Sequence, residues 1–255
     1  MKTFSFFARS AQRMGSVSWG RQWTWVISFS CLLVACATVG TSELRYHEPR
    51  PTASSPRDMV VKASLHRTWD LLIDRLRLSF FDIESVDKAN RTIDVAFSTD
   101  RPEQYIDCGT IDRTFQYANE SQSYTYPLAS SSSFKVATTY GKVQKLLLIG
   151  HYDRNTSLET VTTLSVMPSK KHTRVGLDSH YLFTSRLSGE QHYLNAAGKV
   201  IKRYQVAELQ SNIAFKTWEP GSAQWKGPQR TYQVHCYATG KLEQELVALL
   251  DGLNA

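Results

Sequence analysis

Four cysteines, Cys31, Cys36, Cys108 and Cys236, are the residues of this chain that are best suited to chemistry. A thiol can be oxidised to a disulfide, bind a metal, attack a substrate or carry an acyl chain. Cys108 and Cys236 stand far apart, and the sequence has neither a CxxC pair nor a Cys/His cluster with zinc spacing. Two such cysteines usually form a disulfide when their domain is exported, and the N-terminal segment described below predicts export. We therefore predict a Cys108–Cys236 bridge.

The sequence contains few features that indicate a catalytic site. His235 adjoins Cys236, but neighbours in a strand point to opposite faces, which disfavours a Cys–His nucleophile. The GxSxG, HExxH, Walker and GxGxxG motifs are absent. The histidines of the β-rich middle are scattered, and His180 and His192 would meet only by chance across a hairpin. We therefore predict no catalytic residue, no metal site and no cofactor, and a hydrolase without a linear motif stays as a third interpretation.

The aromatic residues are a better functional clue. The chain has 12 tyrosines and 6 tryptophans, and Trp218 and Trp225 fall in a turn-rich segment. Exposed Trp and Tyr side chains mark protein contacts, or can stack on sugars. Aromatic packing within a sheet is the simpler explanation of the same residues.

The net charge is concentrated at the N-terminus. Lys2, Arg9, Arg13 and Arg21 lie in residues 1–35, which contain no acidic residue. Removing this segment takes away 4 of the 30 basic and none of the 23 acidic residues, and the net charge falls from +7 to +3. A nucleic-acid-binding domain needs a basic surface on its folded part, so we expect no nucleic-acid partner.

The end of this basic segment is a short apolar run. Residues 23–35, WTWVISFSCLLVA, are too few to span a bilayer, which takes about 20 residues. A basic start, a short apolar core and a small residue at its end are typical of a secretory signal, here residues 1–35. A retained signal-anchor helix is the alternative.

The residues Leu33-Val34-Ala35-Cys36 resemble the lipobox of bacterial lipoproteins. The resemblance implies cleavage before Cys36, acylation of its thiol and of the new amine, and anchoring in a membrane by chains such as palmitate. Two or more chains give a stable anchor, whereas one holds only marginally. Ala37, rather than Asp, follows the cysteine, which in that family is typical of the outer membrane. The implied location is therefore the outer membrane, facing the periplasm.

The anchor is followed by a tether and a domain. Residues 36–57 contain three prolines and little apolar periodicity, which predicts a lipidated N-terminus and a flexible tether. A segment docked on the domain or on a partner is the alternative. Residues 58–255 are predicted to form a single periplasmic domain, since 42% hydrophobic and 21% charged residues are ordinary for a globular protein.

A helix and a hairpin are predicted at the start of this domain. Ser64 is a candidate N-cap, and the apolar residues that follow recur on one helix face: Leu65, Trp69, Leu72, Ile73 and Leu76. We interpret Trp69 as a core anchor. A strand is predicted at 59–63, and two strands at 80–86 and 91–97 flank a turn at 87–90.

The middle of the chain is β-rich and the end is helical. Strands are predicted near 111–117, 133–139, 143–151, 158–167, 172–187 and 231–237. Residues 200–209 fit a helix or a strand, and 219–229 are predicted to be a loop. The last helix is capped by Thr239, has Glu243 and Glu245 near its positive end, and has one apolar face: Leu242, Leu246, Leu249, Leu250 and Leu253.

These elements predict an α+β fold, an antiparallel β-sheet with packed helices near the start and at the C-terminus. Residues 60–98, which include Val61-Lys-Ala-Ser64, Trp69 and the FDIESVDKANRTIDVAF hairpin, resemble the repeat unit of the BamC lipoprotein family. The resemblance implies a helix-grip arrangement and an accessory role in outer-membrane assembly. The Cys108/Cys236 pair and the long β-rich middle depart from that family's two small domains.

The functional expectation is a non-enzymatic envelope lipoprotein. It would act as a scaffold or accessory subunit of an envelope protein complex, bound to the membrane through Cys36. The alternative is a module that binds cell-wall glycan or lipid in an aromatic-lined cleft.

Overall fold

The computed structural model describes residues 40–51, 56–140, 146–226 and 231–251. All of them belong to one compact unit that spans residues 37–255. The predicted signal segment, residues 1–35, and the predicted lipidation site Cys36 lie outside the described residues.

The predicted first helix is α1, Leu65–Arg77. The Ser64 side chain accepts a hydrogen bond from the N–H of Arg67 at 3.5 Å and caps the first turn. The apolar face lies in or against the main core: Leu65, Trp69, Leu72, Ile73 and Leu76. The helix, its cap and the core position of Trp69 are therefore confirmed.

The predicted hairpin follows as β3, Asp82–Asp87, and β4, Thr92–Thr99. Its turn is held by the Asp87 carboxylate, which accepts from the N–H groups of Ala89 and Asn90 at 2.9 and 3.0 Å. These hydrogen bonds lower the pKa of the Asp87 carboxyl group. Such a side chain-to-backbone pattern is a local signal, which explains why the turn was predictable.

Three long antiparallel strands form the centre of the fold: β9, Leu146–Ser169, β10, His172–Leu194, and β11, Val200–Lys216. The strand order of the sheet is β11-β10-β9-β4-β3. Two further strands extend it, since β8, Ser132–Tyr140, pairs with the first half of β9, and β2, Asp58–Val61, pairs with the start of β10.

The prediction of two separate strands at 143–151 and 158–167 is wrong, because β9 runs through both. Tyr152, Arg154 and Thr156 are buried, whereas Asp153 and Asn155 between them are exposed. The period of two therefore continues through a polar stretch. Because Arg154 and Thr156 on the buried side are polar, the alternation of apolar residues is interrupted there, and the sequence does not predict one continuous strand.

Two smaller sheets pack around this centre. The first has the order β1-β6-β7 and the second β12-β13-β5. Their strands are β1 Thr41–His47, β5 Ile106–Asp107, β6 Thr110–Tyr117, β7 Glu120–Pro127, β12 Gly221–Lys226 and β13 Thr231–Ala238. A short 3₁₀ turn, Pro102–Gln104, precedes β5.

Strand β1 corrects the prediction of a flexible tether over 36–57. Thr41–His47 pairs with β6 along its full length, and Leu44 is buried. The segment belongs to the folded unit, as the docked alternative requires. Similarly, residues 219–229 are not all loop, because β12 occupies Gly221–Lys226, and residues 200–209 are strand rather than helix.

The last helix is α2, Lys241–Asp251, and the Thr239 hydroxyl accepts from the N–H of Lys241 at 3.4 Å. Three leucines of its predicted apolar face are fully buried: Leu242, Leu246 and Leu250. Helix α1 contacts α2, β3, β9 and β10, so both helices contribute to one core with the sheet. The predicted fold class is confirmed: α+β, mostly antiparallel sheet, with one helix near the start and one at the C-terminus.

Candidate functional site

Cys108 and Cys236 form a disulfide, as the sequence predicts. Both are buried, and the backbone pairing of Asp107 with Tyr237 places β5 beside β13. The Tyr46 hydroxyl of β1 donates to the carbonyl of Cys108 and accepts from the N–H of His235, both at 3.2 Å. The bridge and the Tyr46 hydroxyl together connect β5, β13 and β1. The bridge also leaves Cys236 without a thiol, so the Cys–His nucleophile is excluded.

The histidines do not form the cross-hairpin pair. His180 and His192 lie in the same strand, β10. His180 lies 3.7 Å from the Asp178 carboxylate, whereas the His192 ring lies 5.8 Å from that of His151. Burial, Lys135 and His192 lower the pKa of His151. Among the described residues, no group of three or more His, Cys, Asp or Glu side chains is arranged to hold a metal ion.

A buried polar triad, Glu243, Tyr181 and Thr217, was missed by the sequence analysis. Glu243 is fully buried at the start of α2, and its Oε1 accepts from the Tyr181 and Thr217 hydroxyls, each at 2.7 Å. Burial and the Glu243 carboxylate raise the pKa of Tyr181. A signal was present, since Glu243 precedes Leu246 and Leu250 by three and seven residues and so lies on the apolar face. The triad joins α2 to the sheet.

A buried arginine, Arg154, packs against an aromatic ring and main-chain carbonyls. The Arg154 Nη2 donates to the carbonyls of Pro127 and Ser130 at 3.2 and 2.8 Å, and its guanidinium lies 4.8 Å from the Tyr126 ring. Burial lowers the pKa of Arg154. These contacts hold the turn between β7 and β8, and they give Arg154 a structural role.

Trp218 and Trp225, the two tryptophans of the turn-rich segment, have different environments. Trp225 is buried in the core, 5.7 Å from the ring of Phe183, which agrees with the simpler explanation of aromatic packing. Trp218 is half-buried and lines an open cleft of about 470 Å³ on the outer face of the sheet. The guanidinium of Arg57 covers its ring at 4.7 Å.

The floor and rim of this Trp218 cleft differ in chemistry. Small residues form much of the floor, and Gly176 leaves room where a side chain would meet Met167. The rim carries both charges, with an Arg174–Asp58 ion pair on one side and Lys216 on the other. One aromatic ring, a small floor and many hydrogen-bonding groups suit a polar, uncharged ligand such as a sugar.

The N-terminal two thirds of β11 are exposed. Every residue from Val200 to Gln210 is exposed except Val206, which is half-buried. Among the named strands, β11 pairs only with β10, so this stretch is a free edge. We call residues 205–212 the β11 edge. It carries the exposed Leu209 and an ion pair at 3.7 Å between Glu208 and Arg186 of β10.

A free edge of this kind can accept an additional strand. Its main-chain N–H and C=O groups can pair with an extended segment of another chain, while alternate side chains give specificity. The sequence analysis missed this edge because residues 200–209 fitted a helix as well as a strand.

Of the site residues predicted from the sequence, the structure describes the disulfide pair but not the lipidation site. The structure joins Cys108 to Cys236, but Cys36 lies outside the described residues. No helix in the described part of the chain is long and apolar enough to cross a membrane.

Searches for matching family models, curated proteins and solved structures found no match to this chain.

Proposed function

We propose that this chain is a bacterial envelope lipoprotein, anchored through acylated Cys36 in the outer membrane and facing the periplasm. The observation that carries the proposal is the sequence Leu33-Val34-Ala35-Cys36 at the end of a basic and then apolar segment. The buried Cys108–Cys236 disulfide supports it, because such bridges form and persist in oxidising compartments such as the periplasm.

The position of β1 limits how far the folded domain could lie from such an anchor. Only four residues separate Cys36 from Thr41, the first residue of β1. A fully extended segment from Cys36 to Thr41 spans about 17 Å at most. The lipidated domain would therefore be held against the membrane surface, whereas a free tether over residues 36–57 would let it range further.

The domain itself is proposed to bind other envelope proteins without catalysing a reaction. The β11 edge supports this role, since a free strand edge with the exposed Leu209 can take up a strand from a partner. The resemblance of residues 60–98 to the BamC family supports an accessory role in outer-membrane assembly. The buried polar groups Glu243 and Arg154 each make two hydrogen bonds within the fold.

The anchor and the scaffold role are tested together by purification from host membranes in mild detergent. We expect an intact mass that fits cleavage before Cys36 plus acyl chains, and co-purification of an envelope protein in fixed stoichiometry. Cys36→Ala should remove the acyl mass and release the chain from the membrane fraction.

Leu209→Lys tests whether the co-purified protein binds at the β11 edge, because a lysine on an edge strand opposes addition of another strand. It should keep the acyl mass and lose the co-purified protein. An unprocessed chain without acyl mass contradicts the lipoprotein, and an acylated chain that elutes alone contradicts the scaffold role.

The Trp218 cleft favours glycan binding as the second candidate function. We expect Trp218→Ala to weaken binding of soluble peptidoglycan fragments by about ten-fold, because the indole ring would lose its stacking contact with a sugar. Isothermal titration against the matched variant Tyr204→Ala, an exposed aromatic outside the cleft, measures this difference. Equal affinities in both variants would exclude the cleft as the glycan site.

A further inference from the structure

The hairpin that joins β10 to β11 ends in a tip with exposed apolar side chains. We call residues 193–204 the hairpin tip. Val200, Ile201 and Tyr204 are 38%, 54% and 40% exposed. The Tyr204 ring packs edge-on against Tyr193 at 5.3 Å, which holds an aromatic pair at the surface. Apolar groups of this size are usually buried when neighbours are available to cover them.

The same tip is strongly basic. Lys199, Lys202 and Arg203 are exposed beside the apolar residues, and no acidic residue occurs from 191 to 207. The Lys202 ammonium lies 4.1 Å from the centroid of the Tyr204 ring. Apolar, aromatic and basic side chains are thus combined in the tip, which has no acidic residue of its own. Glu190 of β10, just outside the tip, interacts with Arg203.

Ile201 is directed outward by an irregularity of the strand. Tyr193 pairs with Lys202 and Leu194 pairs with Val200, so Ile201 is the additional residue of a β-bulge. A bulge leaves its extra residue unpaired and re-aims a side chain. The result is that the most exposed apolar residue of the tip has no cross-strand neighbour.

The tip lies at the same end of the fold as Gly40, the first described residue. Gly40 lies against the Leu147 side chain, and its carbonyl accepts from the Thr139 hydroxyl at 3.2 Å. Leu147 pairs with Leu194, the residue next to the turn of the hairpin. Cys36 lies four residues before Gly40, within about 14 Å of extended chain.

We propose that the hairpin tip docks on an anionic phospholipid membrane and orients the anchored domain upright on that membrane. The inference rests on the proposed anchoring through Cys36. Val200 and Ile201 would enter the boundary between headgroups and acyl chains, Tyr204 would lie at headgroup level, and the three basic residues would face the phosphates.

Charge and position favour lipid over a protein strand as the occupant of the tip. Addition of a strand uses main-chain groups and needs no excess of positive charge. An anionic membrane, by contrast, attracts each lysine or arginine near its surface and accepts the apolar groups between them. The anchor would also bring that surface within reach of the tip.

The test uses the processed, acylated chain with Ile201→Cys, labelled with an environment-sensitive nitrobenzoxadiazole dye. The other cysteines are then acylated or in the disulfide, so the new thiol is the reactive one. In vesicles of phosphatidylethanolamine and phosphatidylglycerol, we expect emission to shift to shorter wavelength and to be quenched by lipids with a nitroxide on the acyl chain. The matched control, His172→Cys at the other end of β10, should show neither effect.

A second experiment tests whether the basic residues of the tip are needed for docking. The triple variant Lys199→Gln, Lys202→Gln and Arg203→Gln should lower the ratio of docked to undocked tip by about 100-fold, since each basic residue contributes about five-fold. Phosphatidylcholine vesicles should have a similar effect on the unchanged tip.

The outcomes separate this inference from the proposed function, because intact mass reports acylation in the same sample. An acylated chain whose label at 201 stays solvent-like, or whose label at 172 is quenched as well, overturns the docking while the anchor stands. A label that shifts only with host protein present assigns the tip to a protein partner and also overturns it. A chain without acyl groups overturns both.

Discussion

Replacing both Cys108 and Cys236 with alanine should lower the free energy of unfolding of the domain by about 5 kcal/mol. The two residues are 128 positions apart in the chain, so the bridge closes a long loop in the unfolded state. In the chain-entropy view, a longer closed loop loses more conformational freedom and stabilises the fold more. Denaturant unfolding at fixed pH measures the effect, and a domain of this size should lose about 10–20 °C in melting temperature.

Two comparisons make this result specific to the bridge. Alanine is preferred over serine because both sites are buried, and a hydroxyl there would need a hydrogen-bond partner. Reduction of the unaltered protein should reproduce the loss, whereas Cys36→Ala should leave domain stability unchanged. A double variant as stable as the unaltered protein would show that the unfolded chain is already restricted without the bridge.

The elements that were predictable from the sequence are those whose signal is local. Helix α1 has its cap at Ser64 and its apolar face within four turns, and the β3–β4 turn has Asp87 within hydrogen-bonding distance of the residues that follow it. The disulfide was predictable for a different reason. Once the first 36 residues are assigned to a signal and an anchor, Cys108 and Cys236 are the two cysteines left to pair.

The elements that were not predictable depend on partners far away in the chain. Strand β1 is stabilised by pairing with β6, where Leu44 lies opposite Arg113, a partner that no local pattern around residue 44 reveals. Trp225 is buried because Phe183 lies against it, although its own neighbours are typical of a turn. The Trp218 cleft and the hairpin tip likewise arise from surfaces that several strands build together.

Glu243→Ala should lower the free energy of unfolding by about 3–5 kcal/mol. The carboxylate accepts from the hydroxyls of Tyr181 and Thr217, both at 2.7 Å, in a fully buried position. Its removal leaves a cavity and two hydroxyls without this acceptor, and each lost partner costs about 1–3 kcal/mol. Denaturant unfolding of the purified domain with the disulfide intact measures the loss.

Glu245→Ala is the matched control on the same helix. Its carboxylate is partly exposed, accepts from the Tyr105 hydroxyl at 3.3 Å and lies 3.7 Å from the Lys241 ammonium, so its loss should cost less than about 1 kcal/mol. Glu243→Gln keeps one acceptor oxygen and should fall between the two. Equal losses for Glu243→Ala and Glu245→Ala would contradict the structural role of the triad.

Alkaline pH gives the triad a second, independent readout. A tyrosine in the unfolded chain loses its proton near pH 10, whereas burial and Glu243 raise the pKa of Tyr181 in the fold. Above pH 10 the folded state therefore holds a proton that the unfolded state has lost, and stability falls as pH rises. Tyr181→Phe removes this proton and should make the alkaline decline shallower. The buried Glu243–Tyr181 pair thus contributes to the attachment of α2 to the sheet, and this contribution is sensitive to base.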